Sequence, residues 1–459
     1  ALLNVASGLE PTPAAVSEAV AQPCAADPAV SGRDLRLRRV NRQEVTSIPV
    51  RLEALLASDH PARLLWQVVA QFDLTLFAAQ LTVVADGPGR PAIDPLILVA
   101  LWLYASQEGV DSARDLARRC VENLPYIWLC GGVSVNYHTL SDFRVEHAAA
   151  LDELMTRLLH QLDEAGLVNW ENQAQDGLRV RASAGAASFR RQPTLEKRLA
   201  EAQAARAVQE TAVSPARDPL SPRSQAAQER AAREKVTRLE AALAEMPAAR
   251  AAKPAAEQEQ ARVSTTDALA RVMKMADGGY RPAYNWQFAV ETRHLIITGV
   301  DVVNTGSDKG QLWPMLGQVK TRCQRLPANW LVDGGFVNLT AFGLADQQGV
   351  CIYAPVPLPR AEDRDRFAPL PTDSTPVAAW RQRMATAVAK TLYKQRAASV
   401  ECVNAQSRAQ RGVQQVRVRG QAKVKCIALW TAITHNLLIW LRHLRQTLTP
   451  SPLVTQRAV

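Results

Sequence analysis

The segment between residues 190 and 262 constrains the fold more than any other part of the sequence. It contains no glycine and is rich in Ala, Glu, Gln and Arg. Apolar residues recur in it at helical spacing: Leu195, Leu199, Val236, Leu239 and Leu243. It follows residues 174–182, where apolar and polar residues alternate as in a β-strand. We therefore expect a helical hairpin, interrupted near Pro215–Pro222, inserted after a first strand.

Further strand patterns follow this insertion. Residues Tyr284–Glu291 and Leu295–Val303 are joined by a tight connection, which predicts an antiparallel hairpin. A short apolar strand begins at Asn329 and ends at Asp333, before a glycine turn, and Gly349–Pro355 predicts another buried strand. This order of patterns predicts an α/β fold with a mixed central sheet flanked by helices.

Helical patterns occupy both ends of the chain. Residues 50–165 are predicted to be all-helical, with starts after Asp94 and Ser112 and a later helix capped by Thr139 or Ser141. Ser307-Asp308 is expected to cap a helix that carries Leu312. The pattern is helical again from Ala379 to about Arg445, with a strand-like interruption at residues 416–419.

Cysteine spacing and hydropathy exclude several classes of protein. The seven cysteines form no CxxC pair and no zinc-like cluster, which favours a reducing compartment, the cytoplasm. The two longest apolar runs, Ile93–Ala105 and Cys426–Leu441, are too short or too polar for a membrane span, so we expect buried core helices.

Positive charge is concentrated near the C-terminus. The chain carries a net charge of +10, and residues 381–459 contain 14 Arg and Lys against one acid, Glu401. That stretch carries +13, which leaves −3 for the remainder of the chain. A basic face without an amphipathic lipid anchor favours nucleic acid over a membrane as the partner.

Carboxylates near this basic region are candidates for metal ligands. Glu401 lies among bases that suit phosphates, Asp333 ends a buried strand before Gly334-Gly335, and Asp176 precedes Gly177. Such acids hold the divalent ion of phosphoryl-transfer chemistry. Simpler readings remain open: Glu401 could pair with Lys394 or Arg396, Asp333 could cap its turn, and Asp-Gly is a common turn pair. The pattern alone does not rank Asp176 above Asp277, Asp301 or Asp308.

An ordered series of short motifs resembles the DDE transposases of bacterial insertion sequences, in the superfamily with a Tyr-Arg-Glu signature. The motifs span roughly residues 36–445: Gly89-Arg90-Pro91, Tyr137–Arg144 (YHTLSDFR), Asp176-Gly177, Gly279–Asn285 (GYRPAYN), Val332–Phe336 (VDGGF), Tyr393–Arg396 before Glu401, Val416–Gly420 (VRVRG) and His435-Asn436. Each motif is weak by itself, and the resemblance rests on their order.

The resemblance implies an RNase H-like catalytic core with Asp176 on the first strand, Asp333 after the fourth and Glu401 on a later helix. The predicted organisation is a mobile leader at 1–35, rich in Ala, Pro, Ser and Val, a helical insertion at 190–262 and a tail at 446–459. To these the resemblance adds a helical DNA-binding domain at 36–168 and a catalytic core formed by 169–189 and 263–445. The implied cofactor is Mg²⁺ or Mn²⁺, held by the three acids.

The resemblance also implies DNA contacts near the third acid: Tyr393, Lys394, Arg396, Arg408, Arg417, Arg419 and Lys423. The sequence departs from the signature at two places. The gap from Arg396 to Glu401 is one residue longer than the commonest spacing, and Arg408 stands where a lysine is usual. Arginine can still bind phosphate there.

The implied activity is cleavage and joining of DNA at insertion-sequence ends, on double-stranded terminal inverted repeats and target DNA. A homodimer on DNA and no membrane partner are expected. Two alternatives share the same acids or the same basic face. One is an RNase H-like nuclease without strand transfer, and the other is an inactive, DNA-binding relic of a transposase.

Overall fold

The computed structural model describes residue 49 and residues 51–81, 91–211, 222–359 and 364–448. The predicted leader, the Gly89-Arg90 motif and most of the predicted tail lie outside the described residues. Within them the protein combines a mixed β-sheet with many helices, so the α/β class predicted from the sequence is confirmed.

Helices precede the sheet, as the sequence predicts. They are α1 (Pro61–Val69), α2 (Thr75–Ala78), α3 (Pro95–Gln107), α4 (Ala113–Glu122), α5 (Leu124–Cys130), α6 (Tyr137–Glu146) and α7 (Ala148–Glu164). Asp94 and Ser112 cap α3 and α4 as expected. The predicted cap of α6 is wrong, because Asn136 accepts the hydrogen bond from Thr139 N–H and the helix starts two residues earlier than that threonine.

The strands are β1 (Asn172–Arg181), β2 (Phe189–Arg190), β3 (Val263–Ser264), β4 (Arg271–Lys274), β5 (Tyr280–Glu291), β6 (Ile297–Val303), β7 (Asn329–Leu331) and β8 (Cys351–Tyr353). In the main sheet β1 is central. It pairs antiparallel with β5 and parallel with β7, β7 pairs parallel with β8, and β6 and β4 pair antiparallel with β5. The predicted hairpin is therefore confirmed.

The remaining helices are α8 (Gln192–Thr211), α9 (Pro222–Ala244), α10 (Met246–Ala251), α11 (Leu312–Cys323), α12 (Leu339–Gln347), α13 (Thr375–Ala385), α14 (Ala387–Arg396), α15 (Cys402–Gln410) and α16 (Gln421–Leu448). Helices α8 and α9 pack together where the sequence predicts the helical hairpin. Residues 416–419, predicted to be strand-like, form a loop that meets β1 through a single bridge between Gln415 and Arg181.

Two apolar cores hold these elements. One is continuous from the N-terminal helices through α16 into the sheet, where Trp286, Phe288 and Trp330 are fully buried. The other is confined to residues 195–263, where Leu195 and Leu239 pack between the helices of the insertion. The insertion therefore buries its own apolar surface and does not depend on the sheet for a core.

Helix α16 joins the N-terminal helices to the sheet. Its Asn436 accepts from the Ile297 N–H and donates to the Ile297 carbonyl at the start of β6. Of the described helices, it alone is long and apolar enough by composition to cross a bilayer, but 78% of its apolar window is buried inside the protein. Helix α3 is buried along nearly its whole length. Both runs are thus core helices, as predicted.

Candidate active site

Strand β1 presents Asp176 towards the helices that follow the sheet. The side chain is 17% exposed. Burial raises its pKa to about 6, because the charged form loses solvation. Asp333 and Asp308 raise the pKa further, whereas Arg396 and the Gly177 N–H oppose the shift. Asp176 is therefore a carboxyl whose ionised form needs a nearby positive charge.

Gly177 is required by the close approach of another acid. A Cβ at this position would lie 2.3 Å from Asp308 Oδ1 and 2.6 Å from Asn285 Oδ1. The Asp308 carboxylate accepts hydrogen bonds from Asn285 and Gln287, both at 2.7 Å, and from Arg179 at 2.9 Å. The predicted cap role of Asp308 is wrong, because these groups hold its carboxylate beneath β1 instead.

Asp333 lies two residues after the end of β7, and its charge acts on Asp176 and Arg396. The Gly335 N–H donates to its Oδ1 at 2.8 Å and fixes the carboxylate at the start of a short 3₁₀ turn. Because β7 runs parallel to β1, the carboxyl end of β7 brings Asp333 near Asp176. The turn-capping reading of Asp333 is thus correct, and it is compatible with a role in the site.

Glu401 lies at the end of a π-helical turn, Ala397–Glu401, between α14 and α15. A regular α-helix turns about 100° per residue. On such a helix the side chains of Arg396 and Glu401, five residues apart, would point in directions about 140° apart. The wider turn brings them to the same face, where Arg396 donates to Glu401 Oε1 at 2.5 Å. The extra residue in the Arg396–Glu401 spacing is therefore absorbed by this π-turn.

The Arg396 guanidinium lies among the three acids. It is 3.9 Å from Asp176 Oδ1 and pairs with Glu401, and its side chain is 14% exposed. Burial lowers its pKa, but Tyr393 and the three carboxylates outweigh burial, so the pKa rises overall. The prediction that Glu401 forms an ion pair is thus correct, and its partner is Arg396. Because Arg396 also lies near Asp176, this ion pair places Glu401 on the side of Asp176.

Asn404 links the helix to the first strand. Its side-chain amide donates to Asp176 Oδ2 at 3.1 Å, and the residue is buried. The sequence reading did not select Asn404, although it lies one helical turn after Glu401, where a side chain shares the same face. The sequence pattern does not separate Asp176 from three other acids, Asp277, Asp301 and Asp308. Two of them pair with bases outside the candidate site: Asp277 with Arg281, and Asp301 with Lys425.

Two further contacts hold α14 against the sheet. The Tyr393 hydroxyl donates to the Val332 carbonyl at 3.1 Å, one residue before Asp333. Gln395 Oε1 accepts from Thr292 at 2.9 Å and from Asn172 at 3.3 Å. These contacts fix the position of α14, and therefore of Arg396, relative to β1 and β7. The Tyr393 ring is only partly exposed, and its hydroxyl is already engaged.

The basic residues expected to contact DNA are not all in one place. Lys394, Arg417, Arg419 and Lys423 are exposed, and Arg408 is partly buried. Arg417 pairs with Asp111 at 2.7 Å. Among the described residues only Arg396 of this set forms an ion pair with one of the three candidate acids.

The three candidate acids carry oxygen ligands of the kind that a divalent ion prefers. No three His, Cys, Asp or Glu side chains in the described ranges are close enough together to enclose a metal. The donor chemistry does fit Mg²⁺ or Mn²⁺, since the three acids offer hard oxygen ligands and already attract one cation, Arg396. In this structure the Arg396 guanidinium supplies the positive charge among these carboxylates.

Comparison with known proteins gives two family matches. Residues 50–146 match a transposase domain family (DUF772), and residues 365–439 match a transposase DDE domain family. No curated protein and no solved structure matches the chain. The second match includes the π-turn, Glu401, Asn404 and most of α16. The two matches together support a DDE transposase of the insertion-sequence type.

Proposed function

We propose that this transposase cleaves and joins phosphodiester bonds at insertion-sequence ends by a two-metal DDE mechanism. Asp176, Asp333 and Glu401 are the proposed catalytic residues. The observation that supports the proposal is that Asp176 and Glu401 lie within 4 Å of one guanidinium, Arg396, whose charge Asp333 also influences. The acids come from three separate elements of a chain with two transposase matches.

The proposed core is RNase H-like. Its strands in chain order are β1, β5, β6, β7 and β8, arranged in the sheet as β6-β5-β1-β7-β8. Asp176 then lies on the first strand, Asp333 after the fourth, and Glu401 on a later helix, as the resemblance implies. In this proposal 36–168 binds the terminal repeats, 169–189 with 263–445 forms the core, and 190–262 is an insertion.

The proposed cofactor is Mg²⁺ or Mn²⁺, held by the three acids. When bound, such ions activate water and stabilise a leaving 3′ oxygen. The chain itself contributes position and charge. Asn404 holds Oδ2 of Asp176, Oδ1 lies 3.9 Å from Arg396, and the Arg396 guanidinium can bind a phosphate bidentately.

In the proposed reaction a water oxygen attacks the phosphorus, and the bond to the 3′ oxygen breaks. The freed 3′-hydroxyl then attacks a target phosphodiester and displaces its 3′ oxygen in turn. Tyr393 needs no nucleophilic role, since no covalent protein–DNA intermediate is formed. Lys394, Arg408, Arg417, Arg419 and Lys423 are proposed phosphate contacts. The protein acts on double-stranded DNA in the cytoplasm, as a homodimer on DNA.

The test is Mg²⁺- or Mn²⁺-dependent cleavage of DNA that carries candidate element ends. Wild type is compared with Asp333→Ala and Glu401→Ala, and with Asp346→Ala as a control. Asp346 is an exposed acid on α12. We expect cleavage to be lost in the two site variants and kept in the control, with DNA binding retained in all of them.

The other outcomes are equally informative. Cleavage that survives in Asp333→Ala or Glu401→Ala would show that the acids are wrongly assigned. Cleavage without joining would favour a nuclease that lacks strand transfer. Tight binding by wild type without cleavage on any candidate end would favour an inactive, DNA-binding relic.

A further inference from the structure

A buried arginine lies outside the candidate active site and lacks a counter-charge. Arg411 follows α15 and is 7% exposed. Its Nε and Nη1 are buried, and no acceptor in the described part of the chain reaches them. Burial alone accounts for its lowered pKa of about 10, with no acid contributing. An unpaired buried charge is costly, and proteins normally compensate it with an anion.

The neighbours of Arg411 add positive charge. Arg144 of α6 lies over the Trp102 ring, 4.4 Å from its centroid, and its Nε is also buried without a partner. His435 does not supply negative charge, because burial and then Arg411 lower its pKa to about 3 and leave it neutral. Asp111 is the acid nearby, and Arg417 already pairs with it at 2.7 Å.

These groups line a small cavity that adjoins a surface groove. Arg144, Arg411 and Arg417 line a small cavity of about 20 Å³. A cavity of that size holds about one water-sized atom. A surface groove of about 610 Å³ shares Asp111, Gly412 and Arg417 with it. The groove and the cavity therefore share a wall.

We propose that the cavity lined by Arg144 and Arg411 is an anion site that receives a phosphate group, a phosphodiester of the DNA backbone in the assembled complex. Arg411 is ten residues after Glu401, which corresponds to about 15 Å along a helix. A phosphate bound there lies beyond the scissile position, so the site contributes to DNA placement and not to the chemistry.

The site also lies at a junction between the two matched regions. Gly109, after α3, and Gly412 both have positive φ, and a Cβ on Gly412 would lie 3.0 Å from the Gly109 carbonyl oxygen. Arg144 belongs to the first matched region, and Arg411 belongs to the second. Binding of one phosphate by both arginines would therefore hold the two regions together on DNA.

The first experiment measures thermal unfolding of the full chain in inorganic phosphate and in chloride at equal ionic strength. The variants are Arg411→Met and, as a matched control, Arg442→Met, which removes an exposed arginine from α16. Phosphate should raise the melting temperature of wild type and Arg442→Met above the chloride value by more than it raises that of Arg411→Met, because phosphate also stabilises proteins in general by exclusion from their surface. In chloride Arg411→Met should be at least as stable as wild type. Equal stabilisation of Arg411→Met by phosphate, or equal effects of both anions on wild type, would overturn the proposal.

The second experiment identifies the source of the phosphate, and this arm rests on the proposed function. Binding of a mixed-sequence 40-base-pair duplex is measured at several salt concentrations without divalent metal. The slope of log Kd against log salt should fall by about one in Arg411→Met and stay unchanged in Arg442→Met. An unchanged slope in Arg411→Met would exclude the DNA backbone as the ligand. Failure of all three proteins to bind DNA would instead contradict the proposed function and leave the phosphate result intact.

Discussion

Replacing Asp176 by Asn should stabilise the metal-free protein at neutral pH. Asparagine has nearly the same shape and keeps an oxygen that can accept the hydrogen bond from Asn404. It removes a carboxylate that burial and the neighbouring acids Asp333 and Asp308 disfavour. The variant is expected to lose cleavage while gaining stability, which is the combination typical of a functional group held in an unfavourable environment.

The size of this stabilisation follows from the shift in the pKa of Asp176. The pKa rises from 3.8 to about 6 in the folded protein. At 1.36 kcal/mol per unit this corresponds to about 3 kcal/mol. Because the folded state binds the proton more tightly, wild type loses this free energy of unfolding as the pH rises through about 4 to 6. The advantage of Asp176→Asn over wild type should therefore grow from about 1.6 kcal/mol at pH 5 to about 3 kcal/mol at pH 8.

Urea unfolding in EDTA between pH 5 and 8 measures this difference, with intrinsic tryptophan fluorescence as the readout. Asp277→Asn is the control, since the Gly279 N–H and Arg281 lower the pKa of that exposed acid. Its stability relative to wild type should not rise with pH. Saturating Mg²⁺ should reduce the advantage of Asp176→Asn, because the ion binds the folded wild type. A difference between Asp176→Asn and wild type that is independent of pH would refute the reasoning.

Three further predictions concern the surroundings of the acids. Gly177→Ala should lose about 1–3 kcal/mol of stability in thermal unfolding, because its Cβ meets Asp308 Oδ1 at 2.3 Å, whereas Gly185→Ala has open space and should change little. Asn404→Ala should reduce Mn²⁺ affinity and cleavage about 10- to 100-fold. Gln406→Ala, on the same helix, should leave both within about threefold, and equal losses would contradict a positioning role. Deletion of Ala398 should keep cleavage, since it converts the π-turn to a regular α-turn, and deletion of Ala405 from the regular helix α15 should abolish it. The reverse result for the two deletions would show that the π-turn does not set the position of Glu401.

The sheet was predictable from the sequence because its strands carry strong local patterns. In β1 apolar and polar residues alternate, and β5, β6 and β7 are apolar segments bounded by turns. These patterns are sufficient to predict the strands. The short strands β2, β3 and β4 were missed, since two to four residues give no period to detect. The loop at 416–419 alternates like a strand, but only Gln415 pairs with β1.

The candidate site was predictable only in part. The three acids were selected by resemblance, and local pattern alone did not separate Asp176 from Asp308. In the structure Asp308 packs against Gly177, the residue after Asp176, and the two acids differ in their partners. Asp308 is saturated by Asn285, Gln287 and Arg179, whereas Asp176 faces the helix with one oxygen held by Asn404. Two of these contacts, Arg179–Asp308 and Asn404–Asp176, join residues more than 100 positions apart, and no local pattern records them.

The spacing between Arg396 and Glu401 decides which side chain of the helix faces the candidate acids. On a regular helix Val400, four residues after Arg396, would take the position facing the acids, and Glu401 would turn away. The structure instead buries Val400 completely and turns Glu401 towards Arg396. Ser399 supports the wider turn, because its hydroxyl donates to the Gln395 and Arg396 carbonyls, which the lengthened helical repeat leaves open to side chains. A longer gap in this motif therefore need not weaken the assignment of the third acid, provided the helix contains a π-turn that restores its direction.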